Sequence, residues 1–268
     1  MTLRTVTKNN IHILNDDPSL QTIIFTHGFG TDQTAWNAVA EAFKDQYRLI
    51  MYDTVGAGSA DPEAFSPNKY RSINSYATDL LAICQEFELK NAISISHSVG
   101  GMTSVLAANE KPEYFSKMAL VGASPRYLND TDTGYYGGFT QEDLDNLYQA
   151  MSNNYFAWVS GFANLAMQNA DRPHLAENFA RTLASIRPDI AQSVVRAIFQ
   201  SDHRADLPRL QHDTLLIHST EDIAVPDQVA DYLHEHIRSS KLVHVSATGH
   251  FPHISAPGQV IDAIRQFL

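Results

Sequence analysis

Short apolar segments recur along the chain, and a single helical segment separates most neighbouring pairs. Six of them have the composition of buried strands: QTIIFTHG (21–28), YRLIMYD (47–53), NAISIS (91–96), KMALVGA (117–123), DTLLIHS (213–219) and KLVHVSA (241–247). Apolar strands that alternate with amphipathic helices are typical of a parallel sheet covered on both faces. The sequence therefore predicts an open, mostly parallel, doubly wound sheet of the α/β class. The stretch around Lys8 and Asn9 is interpreted as a hairpin at its edge.

One long interval interrupts this rhythm, between residues 124 and 210. It has no convincing strand and contains helical stretches rich in aromatic residues, among them QEDLDNLYQAM, YFAWVSGFANLAM, HLAENFARTLASI and DIAQSVVRAIF. These helices would pack their own rings together. An insertion between two strands also emerges at the strand ends, where ligands bind in open α/β sheets. We therefore expect a core domain of residues 1–123 and 211–268 and a helical lid of residues 124–210.

Length, charge and apolar content bound the function. A chain of 268 residues suffices for one large domain, and a net charge of −11 argues against a nucleic-acid or anionic-membrane partner, because both repel an acidic protein. The amino terminus has no apolar core like that of a signal peptide, and no apolar run is long enough to span a membrane. The single Cys84 cannot form an internal disulfide and fits a small buried side chain in a reducing compartment. We expect a cytoplasmic protein.

Twelve histidines raise the question of a metal site. His97, His212, His218, His234 and His236 show no H-E-x-x-H or similar ligand spacing. Packing and surface roles are the simpler interpretation, so we predict no metal and no cofactor.

The stretch SISHSVGGM (94–102) joins a predicted strand to a predicted helix. At such a turn a G-x-S-x-G motif raises its serine above the sheet edge, and the turn needs very small residues two before and two after the serine. Ser98 is at the centre and Gly100 follows it, while Ser96 stands where glycine is usual. Ser94 and Ser96 are expected to pack or hydrogen-bond within the sheet. Ser98 is therefore the candidate nucleophile.

A nucleophilic serine needs a base, which an acid holds in the right tautomer. After a G-x-S-x-G turn the acid and then the base follow the serine along the chain. Asp222 lies just beyond a predicted strand and before Pro226, which suits the start of the next helix, so Asp222 is the preferred acid and Glu221 the alternative. His250, in the loop after the last strand, is the preferred base.

Three further titratable residues lie near these positions. His253 is in the same loop as His250 and is the alternative base, although a role in holding that loop is the simpler interpretation. His97 adjoins the nucleophile but should point away from it, so we interpret it as structural. Asp53 is a second candidate acid, and the glycines after it favour a turn-stabilising role.

Charge that develops on a substrate oxygen is stabilised by N–H donors of the main chain. One such donor follows the nucleophile, and the other lies in the loop after an early strand. Val99 and Phe29 occupy these two places, so their N–H groups are the candidate oxyanion hole.

Longer stretches resemble one branch of a known family. These stretches are HGFGTDQTAW, YDTVGAGSADPEAF, SHSVGGM, GASPRYLND, GGF, NYFAWVSGFA, RPDIA, FQSDHR and GHFPHISAP. Together they closely resemble the RsbQ-like branch of the α/β-hydrolases. That branch includes a bacterial stress-signalling hydrolase and, more distantly, plant karrikin and strigolactone receptors. The resemblance covers nearly the whole chain. It implies an α/β-hydrolase fold with a four-helix lid and a triad of Ser98, Asp222 and His250. It also implies an apolar pocket lined by six rings: Phe29, Phe139, Trp158, Phe162, Phe179 and Phe199.

Two functional hypotheses follow. The first is a carboxylic ester hydrolase that forms an acyl-enzyme, since the resemblance implies action on small apolar esters or butenolide lactones. The second is a signalling module that senses a small molecule, hydrolyses it slowly and meets a signalling protein partner through the lid. A dehalogenase or epoxide hydrolase is disfavoured because those enzymes use Asp where this chain has Ser98. The aromatic crowding of the lid predicts a small, dry pocket that favours short acyl groups. The alternative is that these rings form only the core of the lid and leave a wide cleft below, which would tolerate long acyl groups.

Overall fold

The structure, a computed structural model, describes residues 5–268 and contains a seven-stranded sheet in the order β1-β3-β2-β4-β5-β6-β7. Neighbouring strands are parallel except for β1, which is antiparallel to β3. The predicted α/β class and mostly parallel sheet are confirmed. The strands are β1 (His12–Leu14), β2 (Thr22–Thr26), β3 (Arg48–Met51), β4 (Ala92–His97), β5 (Phe115–Val121), β6 (Asp213–Glu221) and β7 (Ser240–Thr248).

Eleven α-helices accompany these strands in the described part of the chain. They are α1 (Thr5–Lys8), α2 (Asn37–Glu41), α3 (Ile73–Glu86), α4 (Val99–Glu110), α5 (Gln141–Asn153), α6 (Tyr155–Met167), α7 (Pro173–Ser185), α8 (Pro188–Phe199), α9 (Asp227–His236), α10 (Pro252–Ser255) and α11 (Pro257–Phe267). Short 3₁₀ turns occur at Gln33–Trp36, Pro62–Ala64, Pro112–Tyr114 and Arg204–Arg209.

The sheet is covered on both of its faces, as the apolar strands require. Leu80 of α3 and Val105 of α4 are buried in one cluster with Ile24 and Ile50 of the sheet. A second cluster joins α2 and α11 to other sheet residues, with Val260 among its buried members. Because apolar helices cover both faces of the sheet, a functional site is expected at the edge where the parallel strands end.

Within the described residues, the prediction of a hairpin around Lys8 and Asn9 is wrong. Thr5–Lys8 is a turn of helix, and β1 is a single edge strand. The Asn9 side-chain amide instead donates to the main-chain oxygen of Asp53 at 3.0 Å, and the Asp53 N–H donates to the Asn9 carbonyl at 2.8 Å. Residues 1–4 lie outside the described residues.

Helices α5–α8 form one continuous insertion between β5 and β6. Their buried side chains, such as Leu144, Val159 and Leu183, pack together in one cluster. That cluster also takes in Val225 and Phe251, which follow β6 and β7. The helical insertion, as α5–α8 are called below, therefore rests on the carboxyl edge of the sheet.

Candidate active site

Ser98 lies at the turn between β4 and α4 in a strained backbone conformation. Its φ is 53° and its ψ is −124°, a region that residues with a side chain rarely occupy. The turn is held because the Ser98 N–H donates to the Val121 carbonyl at 2.9 Å. A Cβ on Gly100 would lie 2.8 Å from the carbonyl oxygens of Thr26 and His27, so only glycine fits there. This is the tight turn that the spacing of small residues predicts.

Ser96 and Ser94 are fully buried within the same strand. The Ser94 hydroxyl lies 3.0 Å from the Ser104 hydroxyl of α4, and the Ser96 hydroxyl lies 3.5 Å from the Ala119 carbonyl. In the described residues, the hydroxyl that His250 binds is that of Ser98. The turn therefore forms with Ser96 in the position where glycine is usual.

Three side chains from different loops form a chain of hydrogen bonds. The Ser98 hydroxyl lies 2.8 Å from His250 Nε2, and His250 Nδ1 lies 2.7 Å from Asp222 Oδ2. Because the carboxylate only accepts, Nδ1 carries the hydrogen and Nε2 presents its lone pair to the serine. The structure thus brings together the predicted nucleophile, base and acid in the geometry of a serine triad.

Asp222 is buried, and both of its carboxylate oxygens are engaged. Oδ2 faces His250, while Oδ1 accepts the N–H groups of Ala224 at 2.9 Å and Val225 at 3.1 Å. Burial alone would raise the pKa of Asp222, but the facing imidazole and these donors hold it below its ordinary value. The acid is therefore ionised and cannot rotate without losing three bonds.

The main chain of His250 is fixed by the helical insertion. Its N–H donates to the Ala166 carbonyl of α6 at 2.9 Å. Gly249 has a φ of 91°, and a Cβ there would overlap the Met167 carbonyl, so glycine allows this close approach. The loop that carries the base is thereby attached to α6.

The alternative residues lie elsewhere. Glu221 is exposed, and among the described residues its side chain makes no hydrogen bond to His250. His253 is fully buried against Trp36, with ring centroids 4.4 Å apart. The Asp53 carboxylate accepts the N–H groups of Gln33 and Ser59, in agreement with a turn-stabilising role.

The loop after β2 has its peptide orientation fixed by His27. The Thr54 N–H donates to His27 Nε2 at 2.9 Å, which leaves Nδ1 to donate to the Gly28 carbonyl at 2.8 Å. The Thr31 hydroxyl donates to the same carbonyl at 2.9 Å. In a trans peptide the carbonyl of one residue and the N–H of the next point in opposite directions. The Phe29 N–H is therefore aimed away from these donors.

Phe29 and Val99 line one small cavity beside the serine turn. Val99 is the first residue of α4, so its N–H has no partner within the helix. Neither this N–H nor that of Phe29 donates a hydrogen bond to any group of residues 5–268. That these two N–H groups form an oxyanion hole stays a prediction.

This cavity has a volume of about 30 Å³, which is room for one or two water molecules. Its other walls come from the loops after β2 and β3, from α3 and α4, and from aliphatic residues of the helical insertion: His27, Gly28, Gly30, Thr54, Val55, Gly56, Ala57, Tyr76, Gly100, Thr103, Ile186, Val194 and Ile198.

The six rings of the expected pocket are divided among several places. Phe29 lines the small cavity, and Phe179 lines a second, more open one of about 400 Å³ between α7 and residues 31–38. Trp158 and Phe162 stack on each other with centroids 4.9 Å apart. The remaining two rings, Phe139 and Phe199, are 5.3 Å apart. That all six line one substrate pocket stays a prediction.

Tyr127 is the residue that the sequence reasoning missed. Its hydroxyl lies 3.3 Å from the Ser98 oxygen, and because the serine hydrogen is directed at His250, the phenol is the donor. Burial raises the pKa of Tyr127 to about 12, so the phenol keeps its proton. Its ring packs 4.7 Å from Phe199. The motif GASPRYLND contains this tyrosine, but no spacing rule assigns it a role.

Two further observations concern cofactors and membranes. In the chain from residue 5 to 268, no group of three or more His, Cys, Asp or Glu side chains is placed to hold a metal ion. None of the helices in this range has the length and apolar character needed to cross a bilayer.

Comparisons with known proteins agree with this architecture. Residues 21–257 match the α/β hydrolase fold family. A solved hydrolase structure from Oleispira antarctica superposes with a TM-score of 0.94 at 30% identity, covering 98% of this chain and 95% of that one.

Two plant proteins are similar over most of their length. Karrikin insensitive 2 receptor CA of Petunia hybrida is 43% identical over 261 residues, which is 97% of this chain and 95% of that protein. Strigolactone esterase D14 of Arabidopsis thaliana is 41% identical over 247 residues, covering 92% of this chain and 91% of that protein. Similarity to the plant receptors is therefore confirmed, and placement in the RsbQ-like branch stays a prediction.

Proposed function

Because the chain belongs to the α/β-hydrolase family, we propose that it hydrolyses small apolar carboxylic esters or lactones through an acyl intermediate on Ser98. The observation that carries this proposal is the continuous hydrogen bonding from Ser98 through His250 to Asp222, at 2.8 Å and 2.7 Å. A serine with a correctly protonated base at this distance is the arrangement that acyl transfer requires.

The first half of the reaction forms the acyl-enzyme. The Ser98 oxygen attacks the substrate carbonyl carbon while His250 Nε2 takes the serine proton, and the ionised Asp222 stabilises the resulting imidazolium. The negative carbonyl oxygen accepts the N–H groups of Phe29 and Val99. The C–O bond to the alcohol then breaks as His250 returns the proton to the leaving oxygen.

The second half releases the acid. A water molecule attacks the acyl carbon while His250 takes one of its protons, and the bond to Ser98 breaks as that proton returns to the serine oxygen. With a lactone, the alcohol stays attached to the acyl group, so one hydroxy acid leaves. No step needs a metal or a cofactor.

The substrate class follows from the walls of the small cavity. Side chains such as Ile186, Val194 and Ile198 offer no hydrogen bond, so a polar group placed against them would lose its water without compensation. Small apolar acyl groups fit these walls best. The helical insertion supplies all three side chains and acts as a lid, consistent with a lid spanning residues 124–210.

A panel of aryl esters with acyl groups of two to twelve carbons tests the proposal. We expect multiple turnovers of acetyl and butyryl esters, a steep fall in rate for longer chains, and an acyl adduct on Ser98 by mass spectrometry. Equal turnover of dodecanoyl and acetyl esters would contradict the enclosed cavity. Absence of turnover for all esters and lactones would contradict the hydrolase.

A second function, sensing of a small molecule with slow hydrolysis, is favoured by the similarity to a protein named as a receptor. In this case the helical insertion meets a signalling protein partner. Phe156 and Leu165 of α6 are 63% and 53% exposed, which suits a contact surface. The location proposed for either function is the cytoplasm.

Turnover separates the two functions. The enzyme gives a linear steady state, whereas the sensor gives one burst of product that equals the enzyme concentration, with the product retained and the melting temperature changed by the ligand. The same aryl and lactone panel measures both quantities.

A further inference from the structure

His97 is not one of the reacting groups, but its side chain contacts two loops of the site, the loop after β2 and the loop that carries His250. It is fully buried at the end of β4, directly before Ser98. Its ring centroid lies 4.8 Å from that of His250, 4.9 Å from that of Phe251 and 4.4 Å from that of His253. The imidazole is thus enclosed by the loop that carries the base.

The polar contact of His97 is with the main chain of the base. Its Nε2 lies 2.8 Å from the His250 carbonyl oxygen. Because a carbonyl only accepts, Nε2 carries the hydrogen and donates it. The N–H of His250 is bound on the other side by the Ala166 carbonyl. Both main-chain polar groups of the base are therefore fixed, one by β4 and one by α6.

The third contact of His97 is with the loop that carries the Phe29 N–H. A Cβ on Gly28 would overlap His97 Nδ1, so this loop passes directly against the ring. Nδ1 has no hydrogen-bond partner among residues 5–268. Burial, together with the neighbouring His253 and His250, holds the pKa of His97 well below its ordinary value. The ring is therefore neutral and has a single donor, which is directed at His250.

We propose that His97 is a positioning residue for the reaction, which places the imidazole of His250 at hydrogen-bonding distance from Ser98 through its own bond to the His250 carbonyl. This inference rests on the proposed function. Its physical basis is that a base displaced by a fraction of an ångström transfers a proton less well, while substrate binding is unaffected.

Two amide variants isolate the hydrogen bond. The side-chain nitrogen of Gln reaches about as far as Nε2 of His, whereas that of Asn ends near the position of Nδ1. We expect His97→Asn to lower kcat by about 10-fold to 100-fold with KM within threefold of the wild-type value, because the His250 carbonyl loses its donor. His97→Gln should keep kcat within about threefold.

A matched control is available far from the site. His212 is also buried, and its Nε2 donates to a carbonyl, that of Pro112, at 3.0 Å. His212→Asn and His212→Gln remove or retain the same kind of bond, and both should leave kcat within twofold. If both His97 variants stay within threefold of wild type, or both lose activity equally, the positioning role is wrong.

A spectroscopic measurement keeps this test independent of turnover. The proton between His250 Nδ1 and Asp222 should give a low-field NMR signal that is sharp in the wild type and in His97→Gln, and broadened or lost in His97→Asn. If the wild type turns over no ester but the signal follows this pattern, the proposed function fails and the positioning role stands. An identical signal in all three proteins overturns the positioning role.

Discussion

The carboxyl edge of the sheet and the helical insertion are ordered by different forces. At the sheet edge, Ser98, His250 and Asp222 are placed by hydrogen bonds of defined direction. In α5–α8 the main buried cluster is built from apolar side chains such as Leu144 and Leu183. Hydrogen bonds fix distances and angles, while apolar packing fixes only volume and shape. The sheet edge should therefore respond sharply to single-atom changes, and the helical insertion gradually to changes in size.

The largest effect expected at the sheet edge is that of Ser98→Ala. Removing the nucleophilic oxygen should lower ester turnover by about 10⁴-fold or more while the fold and ligand binding remain. Steady-state kinetics and far-UV circular dichroism check this result. Ser94→Ala, which removes a buried hydroxyl from the same strand, is the control and should keep most of the activity. A Ser98→Ala variant with a tenth of wild-type activity would contradict the assignment.

Replacing one carboxylate oxygen of Asp222 by nitrogen tests the direction of its hydrogen bond with His250 without changing the size of the side chain. Asp222→Asn should lower kcat by up to about 10⁴-fold, because the neutral amide neither stabilises the imidazolium nor enforces the tautomer with hydrogen on Nδ1. Glu221→Gln makes the same chemical change at an exposed side chain and should matter little. The opposite ranking of the two variants would move the acid to Glu221.

In the helical insertion, a change of volume should alter specificity rather than abolish chemistry. Val194→Phe fills part of the small cavity and should lower the rate with butyryl relative to acetyl esters by about 10-fold or more. Val194→Ala should shift the preference toward longer acyl groups.

Trp158→Ala is the companion test for the aromatic pocket. If the aliphatic cavity is the acyl site, the ratio of butyryl to acetyl rates should hardly change in this variant. A Trp158→Ala enzyme that newly accepts dodecanoyl esters would show instead that the rings form the wall.

The smallest expected effect is on the free energy of unfolding and its dependence on pH, and it comes from His253. Burial lowers the pKa of His253 to about 3, against about 6.5 in an unfolded chain. Between these values the unfolded chain binds a proton that the folded protein excludes. Stability from this group is therefore complete above pH 6.5 and falls as the pH decreases, by about 1.4 kcal/mol per unit.

Urea unfolding at pH 7.5 and pH 5.5 measures this loss. His253→Phe should lose less stability than the wild type over this interval, by about 1.4 kcal/mol. His174→Gln changes an exposed histidine and should behave like the wild type. Equal losses in wild type and His253→Phe would show that His253 is protonated in the folded protein.

The contrast between directed hydrogen bonds at the sheet edge and apolar packing in the helical insertion also explains which features could be predicted from the sequence. The strands were located from apolar runs, and the arrangement around Ser98 from local spacing, because a tight turn requires small residues at fixed positions. The prediction of a hairpin around Lys8 and Asn9 was wrong because Thr5–Lys8 forms a helical turn and the side-chain amide of Asn9 binds the main chain of Asp53. That bond joins residues 44 positions apart and has no local pattern.

The walls of the cavity were harder to predict for a related reason. An aromatic residue in a helix can face the cavity, a neighbouring ring or solvent, and composition does not distinguish these. Trp158 and Phe162 stack on each other, while aliphatic Val194 and Ile198 line the small cavity. Tyr127 reaches Ser98 only because the segment after β5 folds back over the turn, which requires the three-dimensional arrangement.

The bond from the His250 N–H to the Ala166 carbonyl makes α6 part of the frame that holds the base. If the helical insertion only shaped the cavity, its melting on heating would change substrate selectivity and leave the catalytic groups in place. Here, melting of α6 also releases the imidazole. Heating should therefore inactivate the protein at the temperature where the helical insertion loosens, even while the sheet stays folded. Exchanging these four helices between relatives should preserve turnover only when the end of α6 keeps its position relative to the His250 loop.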